Sequence, residues 1–511
     1  MPSLWEILKT SKGLPAPDGF TALFARSLSD TYTLAEISGI PPLNLGEIVE
    51  IVDYTIYGNT YQSDGVSPDT PQEVVGVGER TGNLINIIPF KTTFGTGSAV
   101  IRDFLNSLDV GAYVISYNIE LLTRNDSTDN SIYGIRVINE SGSFDLIPKW
   151  GSASTGTVKK ISLKITITED NKGKFTNVYF YGCGIFSVGV TGSAQIYDFM
   201  LNSGSTPLPY EPYGYKVDVV SRGKNLFDKD WLVDGYHLSP ETGLPIENAR
   251  RTAILQPINV TQIDKMVMTY TTIDNDSIRG IYSVIANDGT LVRRVTNISS
   301  NNGIDVSGGD KFYIAFYDSS SSANTVSKDN IENIMLNAGT TPEPYEPYVE
   351  PITTPIYLDS PLYKIGDYSD SRGMTEEVRA INELVLAGEE NWGNNYNGYT
   401  LSTAKKQGLY TVICSHYAPS AAIKEDKTVY TNSTNVLIFY DSSFTTVEAW
   451  KSYLAEQYNN GTPVKVYYIL AEPEIKTVSP VEIPTIQSTN IVDINTEVKP
   501  SNLKITYKSK M

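Results

Sequence analysis

Cysteine and histidine are scarce in this chain of 511 residues, which has only Cys183, Cys414, His237 and His416. Two distant cysteines do not make a disulfide framework, so we expect free, buried thiols. Two histidines disfavour a zinc site built from several histidines, and they disfavour a Ser-His-Asp triad. An apolar run of about 18 residues is also missing, so no membrane insertion is expected.

Positive charge is scarce too, because 40 lysines and arginines face 58 acidic residues and the net charge is −18. Such a chain repels a phosphate backbone, and we find no basic patch with interleaved aromatic residues, so nucleic acid is not an expected partner. Residues 1–6 (MPSLWE) lack the pattern of a secretory signal peptide, which predicts synthesis in the cytoplasm.

Tyrosine, glycine, serine, threonine and asparagine are abundant, which favours pleated sheets joined by polar turns. One motif occurs twice: residues 199–213 read FMLNSGSTPLPYEPY and residues 334–348 read IMLNAGTTPEPYEPY. Leu201 and Leu336 are 135 residues apart, which is the size of one β-sandwich. Each copy is typical of a final strand that turns at glycine and leaves in an extended, proline-stiffened segment.

Similar openings precede the two copies, at residues 77–84 (VGERTGNL) and 220–227 (VSRGKNLF). Because the openings and closings recur in the same order, the pattern indicates two duplicated domains, each too long for a solenoid repeat. Residues 160–168 alternate polar and apolar side chains, as a half-buried strand of a sandwich does. The paired tyrosines of the closings are assigned to packing between consecutive domains.

Residues 38–43 (SGIPPL), 53–62 (DYTIYGNTYQ) and 68–74 (PDTPQEV), together with the Tyr-Glu-Pro-Tyr closings, resemble a family of phage proteins. The family is the tail-fibre and baseplate-appendage proteins of tailed bacteriophages, chiefly of Gram-positive hosts, and of phage-tail-like particles. The sequence departs from the family at Ile85, where phenylalanine is usual. The resemblance implies a virion tail protein made in the host cytoplasm. Its implied partners are other tail or baseplate proteins and host cell-surface polysaccharide, and its implied state is a homotrimer.

We therefore expect a mostly β fold of tandem jelly-roll β-sandwiches that are similar to carbohydrate-binding modules. The expected parts are an attachment arm (1–46), a β connector (47–82), the first sandwich (83–220), the second sandwich (221–352), the third module (353–475) and terminal strands (476–511). The terminal strands suit pairing within the domain or with a neighbour. Residues 378–386 fit both helix and strand periods, and the resemblance favours a strand.

One helix is predicted in the third module, over residues 446–458. The sequence Thr-Thr-Val-Glu at 445–448 is typical of a capping box, and an apolar stripe follows it. The stripe consists of Val447, Trp450, Leu454 and Tyr458. We expect this stripe to pack on the sheet that contains residues 464–470.

The strongest glycan-binding pattern is residues 391–399, where Trp392, Tyr396 and Tyr399 lie among amides that include Asn394 and Asn395. Aromatic faces stack on sugars and amides bind hydroxyl groups. The alternative is an ordinary turn whose aromatic side chains point inward.

Two further sets of residues are candidates. By resemblance to carbohydrate-binding sandwiches, Asp198 and Glu332 before the closings are candidate ligands of a structural calcium ion, and otherwise no cofactor is expected. The alternative for both is a solvated charge or a turn hydrogen bond. The short apolar segments of the arm are predicted to attach to another tail protein, and the alternative is that they pack back on the first sandwich. The attachment residues are Leu4, Trp5, Ile7, Leu8, Phe20 and Phe24.

Enzymatic patterns are weak. Cys414 and His416 would share one face of a strand, but no second pair completes a metal or nucleophile site. The many carboxylates leave a two-carboxylate hydrolase open, although nothing marks a pair. The predicted function is a receptor-binding structural protein that is not an enzyme. A purely architectural baseplate or spacer protein and a cell-wall glycan hydrolase are the alternatives.

Overall fold

A computed structural model of the chain describes most residues beyond the arm. The described residues are 25–26, 31–38, 43–44, 49–62, 71–72, 74–92, 96–124, 131–132, 134–139, 142–146, 149–150, 155–181, 192–260, 263–273, 276–395, 398–403, 407–420, 425–433, 436–486, 491–495 and 502–509. The chain forms two compact units. One is Gly78–Lys216 with Tyr357–Pro361, and the other contains the rest of the described chain.

The predicted mostly β fold is confirmed. Short strands precede the first sandwich: β1 (Ala25–Arg26), β2 (Thr31–Ser38), β3 (Leu43–Asn44), β4 (Val49–Tyr57), β5 (Thr60–Gln62), β6 (Val74–Gly76) and β7 (Glu79–Arg80). Strands β5 and β6 form an antiparallel hairpin. Tyr54 and Ile56 of β4 are buried with the period of two that a sheet with one buried face requires. Ile51 is also buried, and a register shift against β41 separates it from them. No described helix is long and apolar enough to cross a membrane.

Two four-stranded antiparallel sheets form the first sandwich, in the orders β15-β10-β17-β8 and β13-β12-β16-β9. In β15 the isoleucines and Leu163 are buried while Lys160 and Lys164 are exposed, as the alternation predicted. Tyr117, Phe180 and Phe199 fill the core with offset and edge contacts between their rings. The elements are β8 (Phe90–Thr92), β9 (Thr96–Gly97), α1 (Ala99–Ser107), β10 (Gly111–Arg124), β11 (Ser131–Ile132), β12 (Gly134–Asn139), β13 (Gly142–Leu146), β14 (Lys149–Trp150), β15 (Val158–Ile167), β16 (Phe175–Tyr181) and β17 (Gly192–Ser203).

Helix α1 was not predicted from the sequence. The Ser98 side chain caps it by accepting a hydrogen bond from the Ile101 N–H, and Ile101 and Leu105 point into the core. Asn106 fixes the helix to β16, because its amide donates to the Phe175 carbonyl at 2.9 Å and accepts from the Phe175 N–H at 2.8 Å. The helix is short, so its stability comes from this docking.

A larger antiparallel sheet of the second sandwich, β19-β20-β26-β23-β24 with β21 beside β26, packs on a smaller one, β25-β22-β27. Phe312 and Phe316 lie in the core, where Phe316 makes an edge contact with Tyr270. The strands are β18 (Tyr215–Arg222), which precedes this sandwich, and β19 (Leu232–Leu238), β20 (Pro245–Ile254), β21 (Ile258–Asn259), β22 (Lys265–Thr272), β23 (Ile278–Ile285), β24 (Leu291–Ile298), β25 (Asn302–Asp305), β26 (Lys311–Asp318) and β27 (Ile331–Ala338).

The third module packs helix α2 and two sheets around one core. One sheet has the order β33-β34-β38-β37-β36, and the other layer is β32-β39-β35. The strand predicted at 378–386 is confirmed as part of β32. The elements are β28 (Ile352–Leu358), β29 (Lys364–Ile365), β30 (Tyr368–Ser369), β31 (Ser371–Gly373), β32 (Glu376–Leu386), β33 (Trp392–Asn395), β34 (Gly398–Ser402), β35 (Gln407–Cys414), β36 (Ala418–Pro419), β37 (Thr428–Ser433), β38 (Val436–Tyr440), α2 (Val447–Asn459) and β39 (Val464–Thr477).

Helix α2 confirms the helix predicted at 446–458. Its cap is Thr446, whose side chain accepts from the Ala449 N–H, rather than Thr445 as the capping box implied. Trp450 and Leu454 are buried as predicted and share a core with residues of β39. Tyr458 is half exposed, so its place in the apolar stripe was wrong.

Two strands close the fold, β40 (Ile491–Asn495) and β41 (Asn502–Ser509). Strand β41 lies between β2 and β4 in an eight-stranded sheet of order β1-β2-β41-β4-β31-β32-β39-β35. Strand β40 lies between β18 and β3 in the sheet β28-β18-β40-β3, where β7 also pairs with β18. The described terminal strands therefore pair with strands that precede the third module in the same chain, and not within that module as one of the two expectations had it.

Candidate functional site

The opening and closing motifs of the first sandwich meet at the buried side chain of Asn83. Its Nδ2 donates to the carbonyls of Phe199 and Glu211, both at 3.1 Å. Its Oδ1 accepts from the N–H groups of Ile85 and Leu201, both at 3.2 Å. One amide thus satisfies four backbone groups of the first and last segments. We call this arrangement the asparagine clamp.

The second sandwich has the same clamp at Asn225. Its Nδ2 donates to the carbonyls of Ile334 and Glu346, both at 2.9 Å. Its Oδ1 accepts from the N–H groups of Phe227 at 3.1 Å and Leu336 at 3.0 Å. The two motifs recognised in the sequence are therefore the two halves of one hydrogen-bonded closure, formed once in each sandwich.

Three of the four closing tyrosines are exposed, since Tyr213 is 38% exposed and only Tyr348 is partly covered. Tyr213 contacts Arg80, whose Nη2 donates to its hydroxyl at 2.7 Å, and Tyr348 packs edge to face on Trp231. Tyr210 and Tyr345, at equivalent positions, are 39% and 48% exposed. The first sandwich therefore presents two closing tyrosines to solvent, Tyr210 and Tyr213, and the second presents Tyr345.

The structure corrects the predicted glycan-binding loop, because Trp392 and Tyr399 belong to the core of the third module. Trp392 is 7% exposed and Tyr399 is 4% exposed. Tyr399 stacks on Trp450 with ring centroids 5.1 Å apart, and Trp392 contacts Trp450 edge to face at 5.4 Å. Their faces are covered by other rings, so the inward-facing alternative describes these two residues.

A glutamate holds Trp392 in this position. Glu390 Oε2 accepts from the indole Nε1 at 3.0 Å and from the Gly388 N–H at 2.9 Å. Asn394 and Asn395 have exposed side chains at the end of β33. Tyr396 lies outside the described residues. Ligand binding at the two exposed amides stays a prediction, without the aromatic platform that motivated it.

The candidate calcium ligands Asp198 and Glu332 are not structurally equivalent. The residue that corresponds to Asp198 is Asn333, since both have a left-handed backbone, with φ of 51° and 48°, at a register shift beside β10 and β22. Asp198 accepts from Asn118 at 2.8 Å, and Asn333 donates to Thr271 at 3.3 Å.

Glu332 is exposed at the neighbouring position, so the predicted equivalence was wrong by one residue. Among the described residues, no three His, Cys, Asp or Glu side chains converge on a metal site. A structural calcium ion stays a prediction.

The proposed attachment residues Leu4, Trp5, Ile7, Leu8, Phe20 and Phe24 lie outside the described residues. The parts of the arm that are described, β1 to β3, pair with other strands of the chain, since β2 pairs with β41 and β3 pairs with β40. Attachment through the arm stays a prediction.

The Cys414-Ser415-His416 segment does not bring a reactive thiol next to a base. Cys414 is fully buried, and burial raises the pKa of its thiol to about 11, so the unreactive thiol form dominates at neutral pH. The Ser415 hydroxyl lies 2.7 Å from His416 Nδ1 and also accepts from the Lys465 N–H at 2.9 Å. Burial lowers the pKa of His416.

A polar cluster that the sequence analysis missed lies on β32 and β39. The Glu383 carboxylate accepts from the hydroxyls of Tyr467 at 3.0 Å and Tyr363 at 3.2 Å. Lys465 Nζ lies 3.4 Å from the same carboxylate. Burial raises the pKa of Tyr467, so its hydroxyl remains a donor. Cross-strand pairing of Glu383 with Tyr467 creates the cluster, and that register cannot be read from one strand alone.

The first sandwich also has an open groove of about 290 Å³ between residues 86–90, β9 and the start of α1. Ile88 and Val100 at its edge are 78% and 62% exposed. Its described lining is otherwise uncharged, with Asn86 and Ser98 as its main polar groups. The groove offers apolar contact area and few groups that would orient a ligand.

Comparison of the chain with protein-family models and with curated proteins gives no match.

Proposed function

We propose that the protein is a receptor-binding structural component of a phage tail or phage-tail-like particle, which contacts polysaccharide on the host surface. The observation that carries this proposal is the duplicated asparagine clamp. It consists of the same opening and closing motifs by which the sequence resembles tail-fibre and baseplate-appendage proteins. Attachment through the arm and assembly as a homotrimer belong to the proposal.

The clamp has a geometric consequence that favours binding. Because Asn83 and Asn225 hold the first and last segments of each sandwich together, the chain enters and leaves each sandwich at one place. The connections to the rest of the chain then do not cover the other loops and sheet surfaces of the sandwich. Tyr210 and Tyr345 add an exposed ring to each sandwich beside the clamp.

Ring stacking would make each contact weak. One aromatic contact contributes about 0.5–1.5 kcal/mol by analogy with aromatic pairs. Several copies in one particle would therefore be needed for stable adsorption, and avidity rather than a deep pocket would give the affinity.

The test is co-sedimentation of the purified chain with isolated Gram-positive cell walls, before and after chemical removal of the wall polysaccharide. We expect binding that is lost with the polysaccharide and is weakened in the double variant Tyr210→Ala, Tyr345→Ala. Tyr458→Ala is the matched control, since Tyr458 is also half exposed but lies on α2.

Three outcomes would contradict the proposal. Absence of binding to every wall preparation would favour the architectural alternative. Release of reducing sugars from the walls would favour the glycan hydrolase. Equal binding by all variants would show that Tyr210 and Tyr345 do not contact the polysaccharide.

A further inference from the structure

The second sandwich contains a cluster of basic side chains around His237. The hairpin between β19 and β20 folds back over β23 and β24, because Ser283 donates to the Gly243 carbonyl and Arg294 Nη2 donates to the Leu238 carbonyl at 3.4 Å. This fold brings Arg294 of β24 next to His237 of β19. Arg251 of β20 completes the cluster, with Nη1 2.6 Å from His237 Nε2 and 3.1 Å from Nδ1.

The cluster has more hydrogen-bond donors than acceptors. A guanidinium group can only donate, so the imidazole must accept from Arg251 through an unprotonated nitrogen. Burial and the charges of Arg251 and Arg294 lower the pKa of His237 to about 4, which also makes it neutral at pH 7. The second ring nitrogen of a neutral imidazole carries a proton, and that N–H is one more donor.

The acceptors that meet these donors are few. Arg251 lies over the ring of Tyr317 at 5.2 Å. The Nε of Arg294 is buried without a hydrogen-bond partner in the described part of the chain. No described carboxylate forms an ion pair with Arg251 or Arg294, although the net charge of the whole chain is −18.

Two adjacent guanidinium groups repel each other, and an uncompensated, half-buried charge is unfavourable. An oxyanion would remove both costs, since carboxylate and phosphate oxygens match the planar donors of arginine. We propose that His237, Arg251 and Arg294 form an oxyanion-binding site, which takes a phosphate or carboxylate group of an acidic host polysaccharide. The polysaccharide part rests on the proposed function, and the oxyanion part does not.

The first experiment uses inorganic phosphate and the full chain labelled with ¹³C at its histidines. Only His237 and His416 give signals, and a His416→Asn variant assigns them. At pH 7 and constant ionic strength we expect phosphate to shift the His237 signal in a saturable way and to leave the His416 signal in place. A bound anion should also raise the pKa of His237. A His237 signal that does not respond to phosphate or acetate would overturn the proposal.

Variants measured by calorimetry give the second readout. We expect phosphate to bind at least tenfold more weakly to Arg251→Gln and to Arg294→Gln, because each loses a charge but keeps an amide donor. Arg250→Gln is the matched control, since Arg250 is the neighbouring residue of β20 and its Nη1 donates to the Ser322 carbonyl. Equal affinity in all four proteins would show that phosphate binds elsewhere.

Polymers distinguish the two sources of the anion. A poly(glycerol phosphate) tests phosphate, and a polyuronic acid tests carboxylate. Binding of one polymer that is lost in Arg251→Gln would support the complete proposal and name the source. Binding of inorganic phosphate without either polymer would leave the oxyanion site standing and would count against its link to host polysaccharide.

Discussion

The first and second sandwiches hold their first and last segments together with a buried asparagine, whereas the third module is built around an aromatic side chain. Trp450 of α2 is fully buried and contacts Trp392, Tyr399, Tyr417, Phe439, Phe444 and Tyr453. The clamp stabilises its sandwich through directional hydrogen bonds to backbone groups, whereas the ring cluster stabilises the third module by burying apolar surface. The contrast shows that the conspicuous aromatic residues of the third module maintain its fold.

The largest effect is expected from Trp450→Ala. Removing the central ring leaves a cavity among six others, which should cost about 3–5 kcal/mol and unfold the third module first. Hydrogen exchange read by mass spectrometry would show loss of protection in β33, β34 and β39. Tyr458→Ala on the same helix is the control and should change stability by less than about 0.5 kcal/mol. Protection that survives Trp450→Ala would mean that the ring cluster does not hold the module together.

The second-largest effect is expected from the asparagine clamps. Asn83→Ala and Asn225→Ala should each lower the free energy of unfolding by about 2–4 kcal/mol. Each substitution leaves four buried backbone groups without a partner, and such groups cost roughly 1–3 kcal/mol when unsatisfied, partly offset by water. Each variant should lower exchange protection only in its own sandwich.

Asn248→Ala is the control for the clamp variants, since the Asn248 side chain accepts a local bond from the Arg250 N–H, two residues along the same strand. Loss of protection spread over both sandwiches would contradict two independent clamps.

A smaller effect concerns the glutamates of the two closings, which have different partners. Burial alone would raise the pKa of Glu211, but Lys216 and the Gly82 N–H outweigh it and hold the pKa below the usual value of 4.5. Glu346 instead pairs with Lys224 at 2.9 Å. A lowered carboxyl pKa stabilises the fold above about pH 4.5, and this stability is lost as the pH falls through the folded-state pKa.

Acidification from pH 6 to pH 3 should therefore destabilise the first sandwich through the lowered pKa of Glu211. Glu211→Gln should remove that part of the pH dependence, and Glu332→Gln, at an exposed position, should not. Thermal unfolding of the three proteins as a function of pH is the measurement. Identical pH profiles for all three would rule out the role given to Glu211.

The smallest effect is expected where the two sandwiches share a left-handed residue. Asp198→Gly and Asn333→Gly should each change stability by no more than about 0.5 kcal/mol, because glycine relieves the backbone conformation but loses the side-chain bond. Valine at either position should lower the free energy of unfolding by more than about 1 kcal/mol, since a β-branched residue is strained in the left-handed conformation. A chelator should leave the melting temperature unchanged if these residues serve the turn. A fall in melting temperature that calcium reverses would support the predicted calcium site.

Local patterns were sufficient for part of this structure. The alternation in β15, the capped helix α2 and the repeated openings and closings are each visible within a short stretch of sequence. The clamp is not, because three of the four partners of Asn225 lie more than 100 residues away. Only the folded chain shows that its amide meets Ile334 and Glu346.

The loop at 391–399 shows the opposite difficulty. Its composition of aromatic residues and amides is the same whether the rings face solvent or core, and the deciding partner, Trp450, is distant in the sequence. The His237 cluster was missed for a similar reason, since β19, β20 and β24 meet only after the hairpin folds back. Chemistry that depends on strand order cannot be read from residue types alone.

Because β4 pairs with β41, the sheet that contains β4 cannot be completed until the end of the chain has been synthesised. Strands β8 to β17 find their partners among themselves, so the first sandwich can form while the ribosome is still adding residues. Strand β4 ends at Tyr57, and β41 begins at Asn502. At about 5–20 residues per second the ribosome needs roughly 20–90 s to cover that distance. During this interval Ile51, Tyr54 and Ile56 of β4 lack their partner strand β41. The yield of soluble chain should therefore depend on chaperones that protect β4.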